Sequence, residues 1–311
     1  MGTNLNESTV LVTGLPRSGT TLTCELLNKV PDTVALDEPM DWWQFTGTTP
    51  PATGPASRLV APLRRALRRP PPPRQAPGAE VLCDNIERFG AEVRRSIEAR
   101  GVALSRHVDG KVLGSKVADH TTESGLRAKL AQRGEIAIDR ELSPHFLLAI
   151  KHNSGFTAIL RPLTERFRVY AVVRNPLSIL SSWQTVPFPP QAGHVAMGEA
   201  FDGELAATLA AIDDRIDRQF HLLEWFFSRF RDLLPPGSVV RYEDLVASGG
   251  AALAVISPEA ASLRVPLENR NKGRVVYDRD GAVQLGRRLL DADGAWRHFY
   301  SQESIEEIVA V

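Results

Sequence analysis

The chain is poor in cysteine: two in 311 residues, Cys24 and Cys83. Two thiols cannot build a disulfide framework, and with no CxxC pair and no Cys/His cluster no metal site is expected. Charge of one sign is also lacking. With 37 basic and 37 acidic residues, no global field draws the molecule to nucleic acid or to a membrane surface, and no nucleic-acid partner is expected. No apolar run approaches the roughly 18 residues that would span a bilayer, so no transmembrane segment is expected. The opening MGTNLNESTV has neither the basic nor the apolar stretch of a signal peptide, and Asn6 stands where a myristoylation signal needs Ser or Thr. These absences make a cytoplasmic location the expectation. The sequence also shows no internal repeat.

What is present suits a globular α/β protein. Hydrophobic residues make up 43% of the chain, enough for a sizeable core. The length favours a single domain over 1–311 that carries large insertions. TVLVTG is a β-branched apolar run, as a buried parallel strand requires. TTLTCELLNKV follows with Leu22, Leu26 and Val30 at helical spacing, stopped by Pro31-Asp32. TVALDEP reads as a second strand, and residues 83–100 as a helix with Ile86, Phe89, Val93 and Ile97 on one face. KVLGSKVADH and GEIAIDREL are short and ambiguous. A second unit then reads as a strand over 146–150, a helix over about 155–165, a strand over 169–173 and a helix from Pro176, with Asn175 as N-cap. A long amphipathic helix or helix pair precedes SVVRYEDLV, a last strand running into a helix. Alternating strands and helices predict an α/β fold, P-loop-like, with a central parallel sheet flanked by helices on both faces. The stretch 46–79 stands apart. It holds Pro70 to Pro73 and six arginines between Arg58 and Arg74, and reads as an insertion or lid.

The first strand runs into GLPRSGTT, which approaches the phosphate-binding pattern G-x-x-x-x-G-K-[ST]. Gly14 and Gly19 keep the spacing and Thr21 the last position, but Thr20 fills the lysine slot and Arg17 is the nearby cation. Glycines let backbone N–H groups turn inward, and the following helix offers its positive end to an anion. Without the lysine, and with VYAVVRNP ending in Arg174 rather than in a lone magnesium-binding Asp, a nucleoside triphosphate fits poorly. The pattern suits an anion neutralised by protein cations.

These residues resemble sulfotransferases that use 3′-phosphoadenosine 5′-phosphosulfate (PAPS). PRSGTTL is similar to their 5′-phosphosulfate loop, above all in the tyrosylprotein and carbohydrate branch, which carries Arg at this place. LDEPM resembles the Glu-Pro segment of the carbohydrate enzymes. VVRNPLSILSSW resembles the 3′-phosphate motif, an Arg at a strand end with a Ser eight residues later, here Arg174 and Ser182. KHN and RYEDLV resemble further landmarks, and together the matches cover about half the chain. The resemblance implies PAPS as co-substrate, with Arg17, Ser18, Gly19, Thr20, Thr21, Arg174 and Ser182 holding it. NRNKGR is a faint echo of a segment that closes over PAPS in other members and makes Lys272 a candidate.

Sulfuryl transfer needs a base, charge stabilisation and a grip on the nucleotide. The resemblance implies Glu38 as base, with a turn cap before Pro39 as the bland reading and His152 as rival. Strand alternation predicts that Asp37 and Glu38 point to opposite faces. Lys151, at a strand end, is expected at the ligand edge of the sheet with Arg17. Tyr242 and Trp183 are candidates for nucleotide contact or simply core aromatics. Trp42, Trp43 and Phe45 are read as an acceptor platform or a loop anchor. The Arg58–Arg74 cations are read as recruiting an acidic acceptor or anionic lipid head group, or as a solvated lid. The acceptor itself, a hydroxyl or amine on a carbohydrate, lipid, small molecule or peptide, is not specified. A small-molecule kinase with an atypical P-loop and a non-catalytic nucleotide-binding module are the alternatives.

Overall fold

A computed structural model describes residues 8–48, 76–123, 125–271 and 279–309. Its centre is a five-stranded sheet in the order β2-β7-β1-β8-β9. The strands are β1 (Thr9–Gly14), β2 (Thr33–Asp37), β7 (Leu147–Lys151), β8 (Arg168–Val173) and β9 (Val239–Arg241), and every pairing is parallel. All residues of β1 and β2 are buried, as strands covered on both faces require. Helices provide the cover, so the α/β expectation holds. They include α1 (Thr20–Leu27), α2 (Trp42–Thr46) and α3 (Ala79–Arg100). After β7 come α4 (Asn153–Ala158) and α5 (Leu160–Arg166), then α6 (Pro176–Gln184) after β8. Further on are α7 (Ala196–Phe201), α8 (Gly203–Ala211), α9 (Arg215–Leu233), α10 (Tyr242–Ala247), α11 (Arg279–Asp291) and α12 (Gln302–Val309).

Local chemistry explains the boundaries. Asn175 caps α6, its side chain accepting from the Leu177 amide at 3.0 Å, with Pro176 in the first turn. The single helix expected over 155–165 is instead two, broken at Ile159 (φ −110°, ψ 29°). Pro162 is the cause. In an unbroken helix its ring would strike the carbonyl four residues back, whereas a first turn tolerates it. The long amphipathic stretch is the pair α8 and α9.

The ambiguous segments form two antiparallel additions. β3 (Val102–His107) pairs with β6 (Gln132–Ala137), and β4 (Val117–Thr121) pairs with β5 (Arg127–Lys129). The first addition shields the edge of β2: the Asp37 amide donates to Ser105 Oγ at 3.0 Å, a donor that an open edge would leave unpaired. The second is a flap. Its Arg127 amide donates to the Thr185 carbonyl at the end of α6 (2.9 Å), and at its other end Asp119 meets Arg270 at 3.0 Å.

Most of the Pro/Arg-rich stretch, including Arg58 to Arg74, and Lys272 lie outside the described residues. Among the described residues no helix is long and apolar enough to cross a membrane.

Candidate active site

β1, β2, β7 and β8 all end at one edge of the sheet, where open parallel sheets bind ligands. There a cleft of about 890 Å3 opens, lined among others by Arg17, Gly19, Thr20, Thr21, Glu38, Lys151, His152, Arg174 and Tyr242.

The loop after β1 is a formed cradle. A Cβ on Gly14 (φ +152°) would lie 2.4 Å from the Val172 carbonyl, and one on Gly19 (φ +100°) 2.7 Å from the Tyr242 ring. Only glycine fits either place. The first amides of α1 have no intrahelical partners, no side chain caps them, and Gly19, Thr20 and Thr21 line the cleft there. Arg17 sits in the left-handed region (φ +76°) and its Nε donates to Ser182 Oγ at 3.1 Å. Thr20 is buried and Thr21 half-buried at the start of α1.

Ser18 departs from its expected role. Its hydroxyl donates to the Val172 carbonyl at 2.7 Å and its amide to the Leu15 carbonyl at 3.1 Å, so it pins the loop to β8. Trp183 is likewise a core residue: fully buried, with Nε1 donating to the Pro16 carbonyl at 2.8 Å. It braces the loop from below.

Opposite the cradle lies a cluster of five charges. Lys151 Nζ meets Asp37 Oδ1 at 2.8 Å and Glu38 Oε1 at 3.2 Å. Lys116 Nζ meets Asp37 Oδ2 at 2.9 Å and Glu38 Oε2 at 2.8 Å. Arg106 Nε stands 3.1 Å from Glu38 Oε2, as an ion pair without hydrogen-bond alignment. The expectation that Asp37 and Glu38 face opposite ways is therefore wrong. β2 ends at Asp37, and Glu38 takes a left-handed backbone (φ +43°), so strand alternation stops one residue short of it. Pro39 is held in turn: its carbonyl accepts from Arg133 Nε and Nη2 at 2.9 and 2.7 Å.

Burial works to raise the Glu38 carboxyl, but Lys116, then Lys151, with His152 and Arg106 behind them, hold it well below the usual carboxylate range. Glu38 is thus ionised at neutral pH, with its side chain 20% exposed to the cleft. Burial lowers the Lys151 ammonium too, but Asp37 and Glu38 outweigh it and raise the group above its ordinary value. Lys116 is lowered by burial against the same two carboxylates. Burial pushes His152 down to about 4. Its Nε2 lies 3.1 Å from the Met40 carbonyl, and its Nδ1 is buried beside Gly155 without a hydrogen-bond partner among the described residues.

At the far end of the cleft, the Arg174 guanidinium lies over the Tyr242 ring, 4.4 Å from its centroid. It donates to Asn271 Oδ1 (2.7 Å), the Arg270 carbonyl (2.8 Å) and the Arg17 carbonyl (3.2 Å). Arg174, Arg17 and Ser182 thus form one chain of contacts, while the Ser178 hydroxyl donates to the Asn271 carbonyl at 3.2 Å.

Trp42, Trp43 and Phe45 do not line the cleft. Phe45 is fully buried against His152 and Phe156, Trp42 stacks on Phe201, and Trp43 lies under Arg133. They anchor the loop after Glu38. Conversely, sequence reading missed Arg106 and Lys116. Lys116 lay in the unassigned segment KVLGSKVADH, and Arg106 in the stretch before it, which had no assignment either. Both thiols are buried, and burial raises each. No group of three or more His, Cys, Asp or Glu is gathered for a metal among the described residues.

No family model matches the chain, and no curated protein matches it. Among solved structures the chain is similar to the sulfotransferase STF1 from Mycobacterium tuberculosis H37Rv, at 12% identity. The match covers 97% of this chain and 76% of that one, with a TM-score of 0.28. So loose a superposition says nothing about the activity of this chain.

Proposed function

We propose that the protein is a sulfotransferase that moves the sulfuryl group of PAPS to a hydroxyl, with Glu38 as general base. The observation that carries this reading is the arrangement of one ionised, cleft-facing carboxylate between two lysines, opposite an uncapped glycine cradle. The cradle's donors suit a 5′-phosphosulfate: the first amides of α1, the hydroxyls of Thr20 and Thr21, and Arg17 beside them. The cleft volume also falls within the roughly 300–1,000 Å3 of ligand sites.

In the transfer, the acceptor oxygen forms a bond to sulfur as the bond from sulfur to the 5′-phosphate oxygen breaks. The bonding pair leaves with the phosphate, giving 3′,5′-ADP and a sulfate ester. Glu38 takes the acceptor proton. Lys151 and Arg17 stabilise the negative charge spread over the moving group and the bridging oxygen. His152 is the weaker base, because its Nε2 faces a carbonyl and its Nδ1 is buried. Arg174 and Ser182 would receive the 3′-phosphate, an arginine fork suiting phosphate well. To do so, Arg174 exchanges a contact now made to Arg270 or Asn271. Tyr242, stacked on Arg174, would border the nucleotide.

Thermal unfolding with 3′,5′-ADP against ATP plus magnesium tests the reading. At 100 times its dissociation constant, 3′,5′-ADP should stabilise the fold by about 2.7 kcal/mol. Stabilisation by ATP with magnesium alone would favour a kinase. Glu38→Gln should lower turnover on the order of 100-fold or more while 3′,5′-ADP still binds. Unaltered turnover would remove Glu38 as base.

A further inference from the structure

The polar half of the cleft accounts for a nucleotide and a sulfuryl group, but not for the other walls. One wall belongs to the flap. Leu113, Val117, Leu130 and Ala131 line the cleft there, and the amides of Leu130 and Ala131 both donate to the Lys116 carbonyl (2.9 and 3.2 Å). That wall is therefore tied to the residue that grips Glu38. The facing wall is Phe188, Val195 and Met197. Met197 and the His152 ring both close on Gly155, where an added Cβ would meet them at 3.7 and 3.2 Å. One apolar group is thus joined through Lys116 to Glu38, and the other lies beside His152.

Two of the four large hydrophobic side chains exposed among the described residues, Leu113 (42%) and Leu130 (49%), stand on this cleft. Exposed aliphatic side chains beside convergent polar groups mark a ligand site. Trp42 and Trp43, which a sugar ring could have stacked on, are turned away from the cleft, and Phe188 belongs to the apolar wall. Of the charges along these walls, Lys116 and Arg106 pair with Glu38 and Arg270 with Asp119, while Lys129 stands exposed beside Leu130.

We infer that the acceptor is a hydroxyl compound with an aliphatic body, held between the flap and the Val195–Met197 wall with its hydroxyl at Glu38. This rests on the sulfuryl-transfer reading for the role of Glu38, but its walls are tested separately. The full chain is titrated by calorimetry with 1-hexanol, 1-octanol, 1-decanol and the disaccharide maltose, with and without 3′,5′-ADP. Affinity is expected to rise about four-fold per added methylene, and decanol to outbind maltose. Leu130→Asp, at an exposed position, should weaken decanol at least ten-fold and leave 3′,5′-ADP binding unchanged, and Met197→Asp provides a second variant from the facing wall. A flat chain-length series, tighter binding of maltose, or decanol binding indifferent to both variants overturns the inference. Failure of 3′,5′-ADP to bind, with the chain-length slope intact, instead removes the transfer reading and leaves an apolar hydroxyl site.

Discussion

Glu38 is held from two sides that are built differently. On one side Lys151 closes a parallel strand, in register with Asp37 across β2 and β7, and only 1% of its side chain is exposed. On the other, Lys116 and Arg106 come from small antiparallel additions and are 14% and 30% exposed. The sheet side is set by the ladder and cannot shift without breaking it. The flap that carries Lys116 is held by a few contacts at its ends, and the addition that carries Arg106 is tied to the edge of β2 through Ser105. One carboxylate thus has a fixed partner that positions it and adjustable partners that tune it.

The largest effect should come from breaking the fixed side. Lys151→Met removes one of the two ammonium partners of Asp37, which is 1% exposed, leaves Lys116 alone between two carboxylates, and should cost about 3–5 kcal/mol in urea unfolding, the range for breaking a buried pair. Next comes the neighbouring imidazole. His152 has its pKa lowered from 6.5 to about 4, so between those values the unfolded chain holds a proton that the folded one does not. Stability should therefore fall as pH drops from 6.5 to 4, by about 3 kcal/mol. His152→Gln should flatten that slope in a pH series of urea midpoints.

Lys116→Met tests the adjustable side and should cost less, about 2 kcal/mol. Its sharper mark is on Glu38. The carboxyl's depressed pKa gives stability that is present above the unfolded value and lost as pH falls through the folded one. Without Lys116 the folded value rises, so carboxyl-carbon NMR should show Glu38 titrating at higher pH than in the parent chain. Lys116→Arg should largely restore the low value. Arg270→Ala, which cuts the exposed tie to Asp119, should change stability by less than about 1 kcal/mol. A much larger loss would mean that the flap is as rigid as the sheet.

The sheet side was legible because its rules are local. A β-branched run, a glycine turn and a capped helix each announce themselves within a few residues, and strand ends in a parallel sheet share one edge. Arg17, Lys151 and Arg174 follow from that alone. The flap was not legible because short strands such as Val117–Thr121 take their identity from their partners, and the pairing of Val102–His107 with Gln132–Ala137 spans a long loop. Lys116 and Arg106 reach Glu38 only through that tertiary arrangement. The error over Asp37 and Glu38 has a narrower cause, since alternation was applied one residue beyond the end of the strand. The roles of Ser18 and Trp183 were hidden because a hydroxyl or an indole beside a loop looks the same in sequence whether it faces a ligand or braces the turn.

Among the described non-glycine residues with left-handed backbone, Arg17 and Glu38 both lie in the cleft. An L side chain there costs roughly 1–2 kcal/mol that glycine would not. Backbone strain alone would therefore favour glycine at the two positions whose side chains the proposed chemistry needs most. At Glu38 the ion pairs to Lys116 and Lys151 oppose that exchange, so the same contacts that lower its carboxyl also hold its strained backbone in place.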